Sequence, residues 1–407
     1  MRILIVSQYF WPEGFRINDL AKTLVEKGVE VEVLTGKPNY PEGAIFAGYK
    51  AWGCQQEVWA GVTIHRVPLT PRRKKGALNL VFNYLSFVVS GALIGAWLLR
   101  RKRYDVIFAY GTSPILQAIP ALVLGWLKKR KVVVWVQDLW PESLEATGHV
   151  RHPRALALVG SVVRRIYANT DLLLVQSRAF EPQVRKLAGD TPIAYYPNSA
   201  DPLFAATGVA LAPLIPVMDS GAFCVVFAGN IGAGQAVETI VDAATLLRNH
   251  PDIQFVVVGQ GSRQAWMVDE AAARGLTNLH LPGRFPGDLM PGLMQKASAL
   301  LVTLNDQPIF AATIPNKIQA YMASGRPIIA CLNGEGARVV EEAGAGIPVP
   351  AEDAKGLAEA VVRLFAMTGL ERARLGVNGQ KYFKAHFDHD MLTLQLMDHF
   401  RALADSS

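Results

Sequence analysis

The fold of this chain is decided by its first stretch, MRILIVSQYFWPEGFRINDLAKTLVEKGVEVEVLT (residues 1–35). Ile3–Val6 is a continuous apolar run, which is typical of a parallel strand buried on both faces. Apolar residues then recur at the spacing of one helix face, and a glycine ends the pattern: Ile17, Leu20, Ala21, Leu24, Val25 and Gly28. Valines alternating with glutamates at 29–33 indicate a second strand. The stretch therefore predicts a β-α-β unit.

The same alternation continues along the chain. It predicts further strands at 105–109, 132–136, 171–175 and 193–196, and helices at 78–99, 114–127 and 154–168. Beyond a proline-rich linker at 197–220, it predicts strands at 223–228, 253–258, 279–281, 299–304 and 327–332, and helices at 235–248, 263–274, 287–296, 316–324 and 355–366. We therefore expect an α/β chain of two Rossmann-like, doubly wound domains that face a central cleft. Their expected bounds are 1–200 and 201–385, with a C-terminal helix at 386–407 that packs back toward the first domain.

Composition and charge narrow the class of protein. The chain has 407 residues, of which 51% are hydrophobic and 18% charged, so disorder is excluded. Its three cysteines form no CxxC pair, which argues against a zinc site and for a cytoplasmic protein. Residues 1–200 hold 26 Lys and Arg against 14 Asp and Glu, whereas the remainder holds 15 against 20. The first half is therefore expected to face an anionic partner.

The basic residues of the first half cluster at 72–75, 100–103 and 128–131, and each cluster borders an apolar stretch. This arrangement favours an anionic membrane surface over nucleic acid, with a solvated face as the alternative. Leu78–Leu99 carries no charge and is long enough to span a bilayer. However, it contains polar residues, both flanks are equally basic, and a span would separate two strands of one sheet. We expect a buried or membrane-dipping helix in a protein bound peripherally to the inner membrane.

Two loops of the first half carry candidate chemistry. The loop after the first strand, Ser7–Arg16, lacks GxGxxG, which argues against a nicotinamide or flavin oxidoreductase. Its Glu13, Gly14 and Arg16 are predicted to face the cleft, unless they form a helix-capping loop with an exposed ion pair. The loop after 132–136 contains Asp138, which could accept a proton or orient an acceptor hydroxyl, or simply cap a helix. Trp140 and Glu142 follow it as candidate acceptor-binding residues.

Loops of the second half suit an anionic ligand. Glycines before a helix let backbone N–H groups approach a phosphate, and a need for tight turns is the alternative explanation for these glycines. The candidate residues are Gly229, Asn230, Gly232 and Gln235 in one loop, and Gly259, Gly261 and Arg263 in the next. Arg284 follows the strand after that. Pro315 stands where a helix would begin, so the N–H groups of Asn316 and Lys317 would point out from its positive end. With the Lys317 charge they form a candidate diphosphate site, or an ordinary helix start.

Four strings in this order carry a family resemblance over essentially the whole chain: Thr35-Gly-Lys-Pro-Asn-Tyr-Pro41, Gln137-Asp-Leu-Trp-Pro-Glu-Ser143, Phe227-Ala-Gly-Asn-Ile-Gly232 and Ile314-Pro-Asn-Lys-Ile-Gln-Ala-Tyr-Met-Ala-Ser-Gly325. The chain resembles family 4 glycosyltransferases of GT-B architecture. Within them it is most similar to the bacterial surface-polysaccharide branch, which includes N-acetyl-L-fucosaminyltransferases and colanic-acid enzymes.

The resemblance implies a retaining transfer, without metal or other cofactor, from a UDP-sugar bound by the second domain. The implied sugar is N-acetyl-L-fucosamine or another N-acetylated hexosamine. The implied acceptor is a polyprenyl-diphosphate saccharide bound by the first domain, as in O-antigen, capsule or exopolysaccharide assembly. The catalytic residues would be Asp138, Glu13 and Lys317, with the second-half loops holding the donor and Gly14, Arg16, Trp140 and Glu142 the acceptor.

The chain departs from the family at several positions. Ala312 and Ala320 stand where the family has a pair of glutamates, and Asn230 and Gln235 replace an Arg and a Lys. Gln137, next to Asp138, stands in place of the histidine that the family usually has in its N-terminal domain. The phosphate charge would therefore be met by Lys317, Arg263 or Arg284 and backbone donors.

Two other classes of function remain open. One is a non-catalytic scaffold or nucleotide-sugar sensor, and the other is a UDP-sugar epimerase of the same architecture. Asp388-His-Asp390 matches the DxD pattern of metal-dependent transferases, but it precedes a helix, and capping is the expected role.

Overall fold

A computed structural model describes residues 1–73, 77–146, 152–205 and 211–405. The chain forms two compact units, one comprising Met1–Pro197 with Asp390–Ser407 and the other Asn198–His389. Sequence analysis placed the boundary after residue 200 and a C-terminal helix on the first domain. In the structure, the last helix belongs to the first unit from Asp390 onward.

The first unit is built on an eight-stranded sheet of order β3-β4-β2-β1-β5-β6-β7-β8. Every neighbouring pair is parallel except the antiparallel β3–β4 pair. Ile5 lies between Val33 and Phe108, so the strands on either side of the helix at 78–99 belong to one sheet, as predicted. The strands are β1 Arg2–Val6, β2 Glu30–Thr35, β3 Gln55–Trp59, β4 Val62–Arg66, β5 Val106–Gly111, β6 Lys131–Val136, β7 Leu172–Val175 and β8 Ile193–Tyr195.

Helices cover both faces of this sheet. They are α1 Arg16–Glu26, α2 Ala77–Ser90, α3 Ala96–Leu98, α4 Ala118–Lys128, α5 Glu142–Ala146, α6 Pro153–Ala168 and α7 Glu181–Ala188. The C-terminal helix α17, His389–Asp405, completes the core of this unit. Its Leu392, Leu396 and Phe400 are buried, and the Phe400 ring lies 5.4 Å from that of Phe108.

The apolar segment of the first unit forms one continuous helical rod. A π-helical turn at Gly91–Gly95 joins α2 to α3. Leu78–Leu98 is long and apolar enough to cross a membrane, but only 28% of it is buried. One such helix is weak evidence for a span. The expectation of a buried helix holds for its inner side only, where Phe87, Gly91 and Gly95 pack on the unit.

The second unit is built on a six-stranded parallel sheet of order β11-β10-β9-β12-β13-β14. Its strands are β9 Phe223–Ala228, β10 Ile253–Val258, β11 Leu279–Gly283, β12 Ala299–Thr303, β13 Ile328–Cys331 and β14 Gly346–Val349. Its helices are α8 Pro202–Ala205, α9 Val237–Leu246, α10 Gln264–Ala273, α11 Met290–Lys296, α12 Pro308–Ala311, α13 Asn316–Ser324, α14 Glu335–Glu342, α15 Ala354–Ala366 and α16 Gly369–His386. Two separate apolar cores, one on each face, make this sheet doubly wound.

The structure contains elements that the sequence pattern did not predict. The hairpin β3–β4 was missed because β3 is an edge strand with alternating half-exposed and exposed residues, so it has no apolar run. Strand β14 was missed because it is four residues long and contains Pro348. The predicted linker at 197–220 includes the short helix α8, and its residues 206–210 lie outside the described residues. Lys74 and Lys75 of the first basic cluster also lie outside them.

Candidate active site

In the second unit, the predicted glycine loops come together at the carboxyl edge of the sheet. Gly229 and Gly259 follow the neighbouring strands β9 and β10, and both have a φ of +145°. A Cβ on Gly259 would lie 1.8 Å from the Gly229 carbonyl oxygen. The backbones therefore pack directly on each other, and side chains at Gly259 would push the loops apart.

The two loops are also joined by hydrogen bonds. The Ile231 N–H donates to the Gln260 carbonyl at 2.9 Å, and the Arg263 N–H donates to the Ile231 carbonyl at 3.0 Å. A Cβ on Gly261 would lie 2.2 Å from that Ile231 oxygen. The packing of the two loops thus explains why residue 261 is a glycine. Gly232 lies against the side-chain amide of Asn230. The two glycine loops therefore form one packed, hydrogen-bonded double loop.

Lys317 of α13 reaches the first of these loops. Pro315 caps the helix, so the N–H groups of Asn316 and Lys317 in its first turn have no intrahelical partner. The Lys317 stem crosses the face of Gly229, where a Cβ would lie 2.6 Å from its Cε. Its ammonium lies 3.7 Å from the Phe227 ring centroid and donates to the side-chain oxygen of Gln235. Burial lowers the pKa of Lys317 to about 7.

Two residues that the sequence analysis missed hold the loop in place. The Asn305 Oδ1 accepts from the Ala236 N–H at 2.8 Å, and its Nδ2 donates to the Ala233 carbonyl at 3.1 Å. The Thr303 hydroxyl donates to the Gln235 carbonyl. Both lie at the end of a predicted strand, which is the same signal that identified the other site loops.

The two candidate arginines differ in their surroundings. Arg263 forms an ion pair with Glu238, and its guanidinium lies 4.3 Å from the Trp266 ring centroid. Arg284 is exposed after β11, and no carboxylate of the described chain pairs with it. Arg284 is therefore the more available charge, because a ligand at Arg263 would compete with Glu238.

Two side chains of the C-terminal DxD string contact residues of distant segments within their own units. Asp390 pairs with Lys27 at 2.7 Å, and the His389 Nδ1 lies 2.9 Å from the Ser199 hydroxyl. Among the residues the structure describes, no three His, Cys, Asp or Glu side chains are grouped as metal ligands would be.

In the first unit, Glu13 was predicted to face the cleft or to form an exposed ion pair, but its side chain is buried and bound to backbone N–H groups. Its Oε1 accepts from the N–H groups of Asn39 and Tyr40 at 2.8 and 2.7 Å, and its Oε2 from that of Phe10 at 3.3 Å. Burial raises the pKa of Glu13 to about 7. This carboxyl group therefore ties the loop after β1 to the loop after β2. Gly14 beside it is exposed.

Asp138 lies after β6, next to the loop that follows β5. Its Oδ2 accepts from the Ser113 N–H at 2.9 Å, and the Trp140 indole N–H donates to the Ser113 hydroxyl at 3.1 Å. Burial raises the pKa of Asp138 above its ordinary value. The neighbouring Gln137 has a buried Nε2 with no hydrogen-bond partner among the residues that the structure describes. The sheet thus brings Asp138 and Trp140 together through Ser113.

Two acceptor candidates remain, Glu142 and Arg16. Glu142 is exposed at the start of α5. Arg16 is the first residue of α1. Its positive charge offsets part of the rise that burial causes in the pKa of Tyr110.

An aromatic cluster at the same edge was not predicted. The rings of Tyr9, Phe15 and Tyr40 lie 5.2 to 5.6 Å apart, centroid to centroid. The Arg72 guanidinium lies 5.1 Å from the Tyr40 ring centroid and 6.0 Å from that of Tyr9. We call these four residues the aromatic shelf. Its sequence signal is one tyrosine in the loop after β1 and one in the loop after β2, together with the first basic cluster.

Family models match both halves of the chain. Residues 14–199 match the glycosyl transferase 4-like domain, and residues 222–367 match the model described as glycosyl transferases group 1. The first match covers most of the first unit and ends two residues beyond Pro197, and the second match lies within the second unit.

Relatives of the whole chain agree with these matches. The chain is 26% identical over 339 residues to a putative colanic acid biosynthesis glycosyl transferase of Escherichia coli K12, WcaI, covering 80% of this chain and 82% of that protein. It is 27% identical over 295 residues to a probable glycosyltransferase of Pseudomonas aeruginosa, WbjE, covering 70% and 73%.

A solved structure supports the fold. Anabaena Alr3699/HepE, crystallised in complex with UDP, superimposes with a TM-score of 0.69 at 15% identity, covering 99% of this chain and 100% of that one. Likeness at this identity shows the fold, and the predicted GT-B class with two Rossmann-like domains is confirmed. Because the two family matches together span well over half of the chain, the protein belongs to the group 1 glycosyltransferases.

Proposed function

We propose that this protein transfers a sugar, with retention and without a metal ion, from a UDP-sugar to a lipid-linked saccharide. The observation that carries the proposal is the meeting of Lys317, Gly229 and Gln235 at the amino end of α13. This arrangement supplies a positive charge and free backbone donors in one place, which suits a diphosphate.

The donor diphosphate would replace Gln235 as the partner of the Lys317 ammonium. It would also accept from the N–H groups of Asn316 and Lys317 at the helix end that Pro315 caps. When the bond to the anomeric carbon breaks, negative charge develops on the diphosphate, and these fixed donors stabilise the transition state. The wall of this site would be formed by Gly229, Asn230, Gly232 and the Gly259–Arg263 loop. Arg284 would lie at its solvent-exposed side. UDP is the proposed nucleotide because a structural neighbour was solved with it.

The acceptor would be held by the first unit. Asp138 is proposed to orient or deprotonate the attacking hydroxyl, because its raised pKa brings it closer to that of a general base at neutral pH. Trp140, Gly14, Arg16 and Glu142 are proposed acceptor contacts. The buried Glu13 is proposed to support the site by fixing the 37–41 loop, since its oxygens already accept three backbone hydrogen bonds.

The biological setting is proposed from the relatives. WcaI is named for colanic acid biosynthesis, which favours assembly of a surface polysaccharide such as O-antigen or capsule on a polyprenyl-diphosphate carrier. The proposed sugar is N-acetyl-L-fucosamine or another N-acetylated hexosamine. The proposed location is the cytoplasmic side of the inner membrane, where such a carrier would present its saccharide.

One assay tests the proposal. Purified protein is incubated with a panel of UDP-sugars, with and without a polyprenyl-diphosphate saccharide, in EDTA, and both UDP and the anomeric configuration of the product are measured. Acceptor-dependent UDP release with a retained configuration supports the proposal. Conversion of the UDP-sugar without acceptor identifies an epimerase, and binding without turnover of any donor identifies a sensor or scaffold.

A further inference from the structure

The helical rod at 77–98 has an uncovered apolar face. Its large exposed side chains recur every three to four residues, so they lie along one side: Leu78, Phe82, Leu85, Val89, Leu93 and Trp97, with exposed fractions of 73, 60, 45, 56, 69 and 61%. At ~1.5 Å per residue the face is about 30 Å long. The opposite side is anchored, because Gly91 packs on Pro120 and Gly95 on Leu34. We call the exposed side the outer face.

Basic residues flank the rod in the sequence. Arg72 and Arg73 precede the rod, and Arg100, Arg101 and Arg103 follow it. The Lys128 ammonium donates to the Leu99 and Lys102 carbonyls at 2.7 and 2.8 Å, which brings the basic cluster at 128–131 to the same end. A rod that lies flat in a bilayer interface places both of these ends among lipid phosphates, whereas a spanning rod would place them on opposite sides. The charges therefore match a flat position on an anionic bilayer.

Arg72 connects this face to the loops at the sheet edge. Its backbone N–H donates to the Asn39 Oδ1 at 3.1 Å, and the Asn83 Nδ2 of the rod approaches the same oxygen at 3.3 Å. The Arg72 guanidinium rests on Tyr9 and Tyr40, and no carboxylate within the described ranges pairs with it. An arginine that is held in place by aromatic rings and lacks an anionic partner is suited to a phosphate.

We propose that the outer face lies in the interface of an anionic bilayer and that Arg72 on the aromatic shelf binds the diphosphate of the acceptor anchored there. The second half of this inference rests on the proposed lipid-linked acceptor, and the first half does not. The Asn39 contacts then set the distance between the bilayer surface and the acceptor loops, because one side chain holds both Arg72 and the rod.

Vesicle flotation tests the outer face. Vesicles of phosphatidylethanolamine and phosphatidylglycerol are compared with vesicles of phosphatidylcholine, using wild type, Leu93→Asp and, as matched control, Leu370→Asp. Leu370 is an exposed leucine, at 83%, on α16 of the second unit. We expect Leu93→Asp to lower binding to the anionic vesicles at least about tenfold, since a charge at an inserted position is costly. Equal binding of Leu93→Asp and wild type would overturn the assignment of this face, as would an equal loss in Leu370→Asp.

A second arm tests Arg72. The same anionic vesicles are prepared with undecaprenyl diphosphate or with undecaprenol, and the preference for the diphosphate is measured for wild type, Arg72→Gln and Arg72→Lys. We expect wild type to prefer the diphosphate vesicles, Arg72→Gln to lose about tenfold of that preference, and Arg72→Lys to keep part of it. Arg72→Gln should also bind the undecaprenol vesicles less well, because one cation near the lipid phosphates is lost, so the diphosphate preference is taken as the ratio of the two affinities within each variant. Unchanged midpoints of urea unfolding show that the variants are folded.

The outcomes separate this inference from the proposed function. If the protein transfers sugar but Arg72→Gln keeps the full diphosphate preference, the Arg72 assignment fails alone. If the diphosphate preference depends on Arg72 but no UDP-sugar is turned over, the proposed transfer fails and the lipid site stands.

Discussion

The side-chain oxygen of Gln235 accepts a hydrogen bond from the ammonium of Lys317, across the face of Gly229. This contact joins the loop after β9 to the first turn of α13. It matters because the family resemblance implies an arginine and a lysine in this loop, where Asn230 and Gln235 stand. Under the proposed function, Lys317 would therefore carry more of the diphosphate charge than it would beside those two cations.

Replacing Lys317 tests this dependence. We expect Lys317→Ala to lower kcat about 10²–10³-fold, because the developing charge on the leaving diphosphate loses a fixed donor. Lys317→Arg is the matched control and should retain more activity, since it keeps the charge. The measurement is steady-state UDP release at saturating acceptor. A loss smaller than about fivefold in Lys317→Ala would remove this residue from the diphosphate site.

The pKa of Lys317 also predicts a pH dependence of donor binding. Burial lowers this pKa to about 7 in the ligand-free protein, so above pH 7 the amine is increasingly neutral. A bound diphosphate favours the charged form, so binding takes up a proton at alkaline pH. The dissociation constant for UDP should therefore rise as pH increases, by up to about tenfold per unit above pH 7.

Calorimetry in buffers of different ionisation enthalpy measures that proton uptake directly. We expect proton uptake near pH 8 in wild type and its disappearance in Lys317→Ala. Uptake that persists in the variant would assign the titration to another group.

Several elements of the fold are encoded directly in the pattern of apolar residues and glycines. Strands β9 and β10 were predicted to the residue, because each is an apolar run ended by a glycine loop. The same rule placed the glycine loops and Lys317 together, since the carboxyl ends of parallel strands share one edge of a sheet.

Other features depend on contacts that no local pattern contains. Glu13 was predicted to face the cleft. The direction of its side chain is instead set by hydrogen bonds from the backbone N–H groups of Asn39 and Tyr40, which lie far along the chain. Arg72 was predicted only as part of a basic cluster, because its position over Tyr9 and Tyr40 requires three separate loops to meet. Side-chain direction and long-range loop contacts therefore had to come from the structure.

The packing of the glycine loops predicts a large effect at one position. A Cβ on Gly259 would lie 1.8 Å from the Gly229 oxygen, whereas a Cβ on Gly275, which also has a positive φ of 62°, would meet nothing within 4 Å. We expect Gly259→Ala to destabilise the protein by roughly 3 kcal/mol or more and Gly275→Ala by only about 1 kcal/mol, the cost of the backbone conformation. Urea denaturation of both variants measures the difference. Similar losses in the two would show that the loops can move apart freely.

A buried ionic cluster on β2 predicts how stability depends on pH. The Glu32 carboxylate accepts from the His65 Nε2 at 2.7 Å and the Tyr104 hydroxyl at 2.9 Å, and it pairs with Arg2 and with Lys102 at 3.2 Å. These partners lower the pKa of Glu32 to about 2 from an ordinary 4.5, against the opposing effect of burial. The folded state therefore favours the carboxylate. Its contribution is complete above about pH 5 and is lost as pH falls from 4.5 toward 2.

Glu32→Gln should lower the free energy of unfolding by about 2–3 kcal/mol at pH 7 and remove most of the decline between pH 4.5 and 2, because the amide does not titrate. Glu26→Gln is the matched control, since Glu26 is exposed and its ion pair with Lys22 is 3.8 Å long, so its effect should stay within about 0.5 kcal/mol. Urea denaturation from pH 3 to 7 measures both variants. An unchanged acid slope in Glu32→Gln would show that other carboxyl groups dominate acid unfolding of this protein.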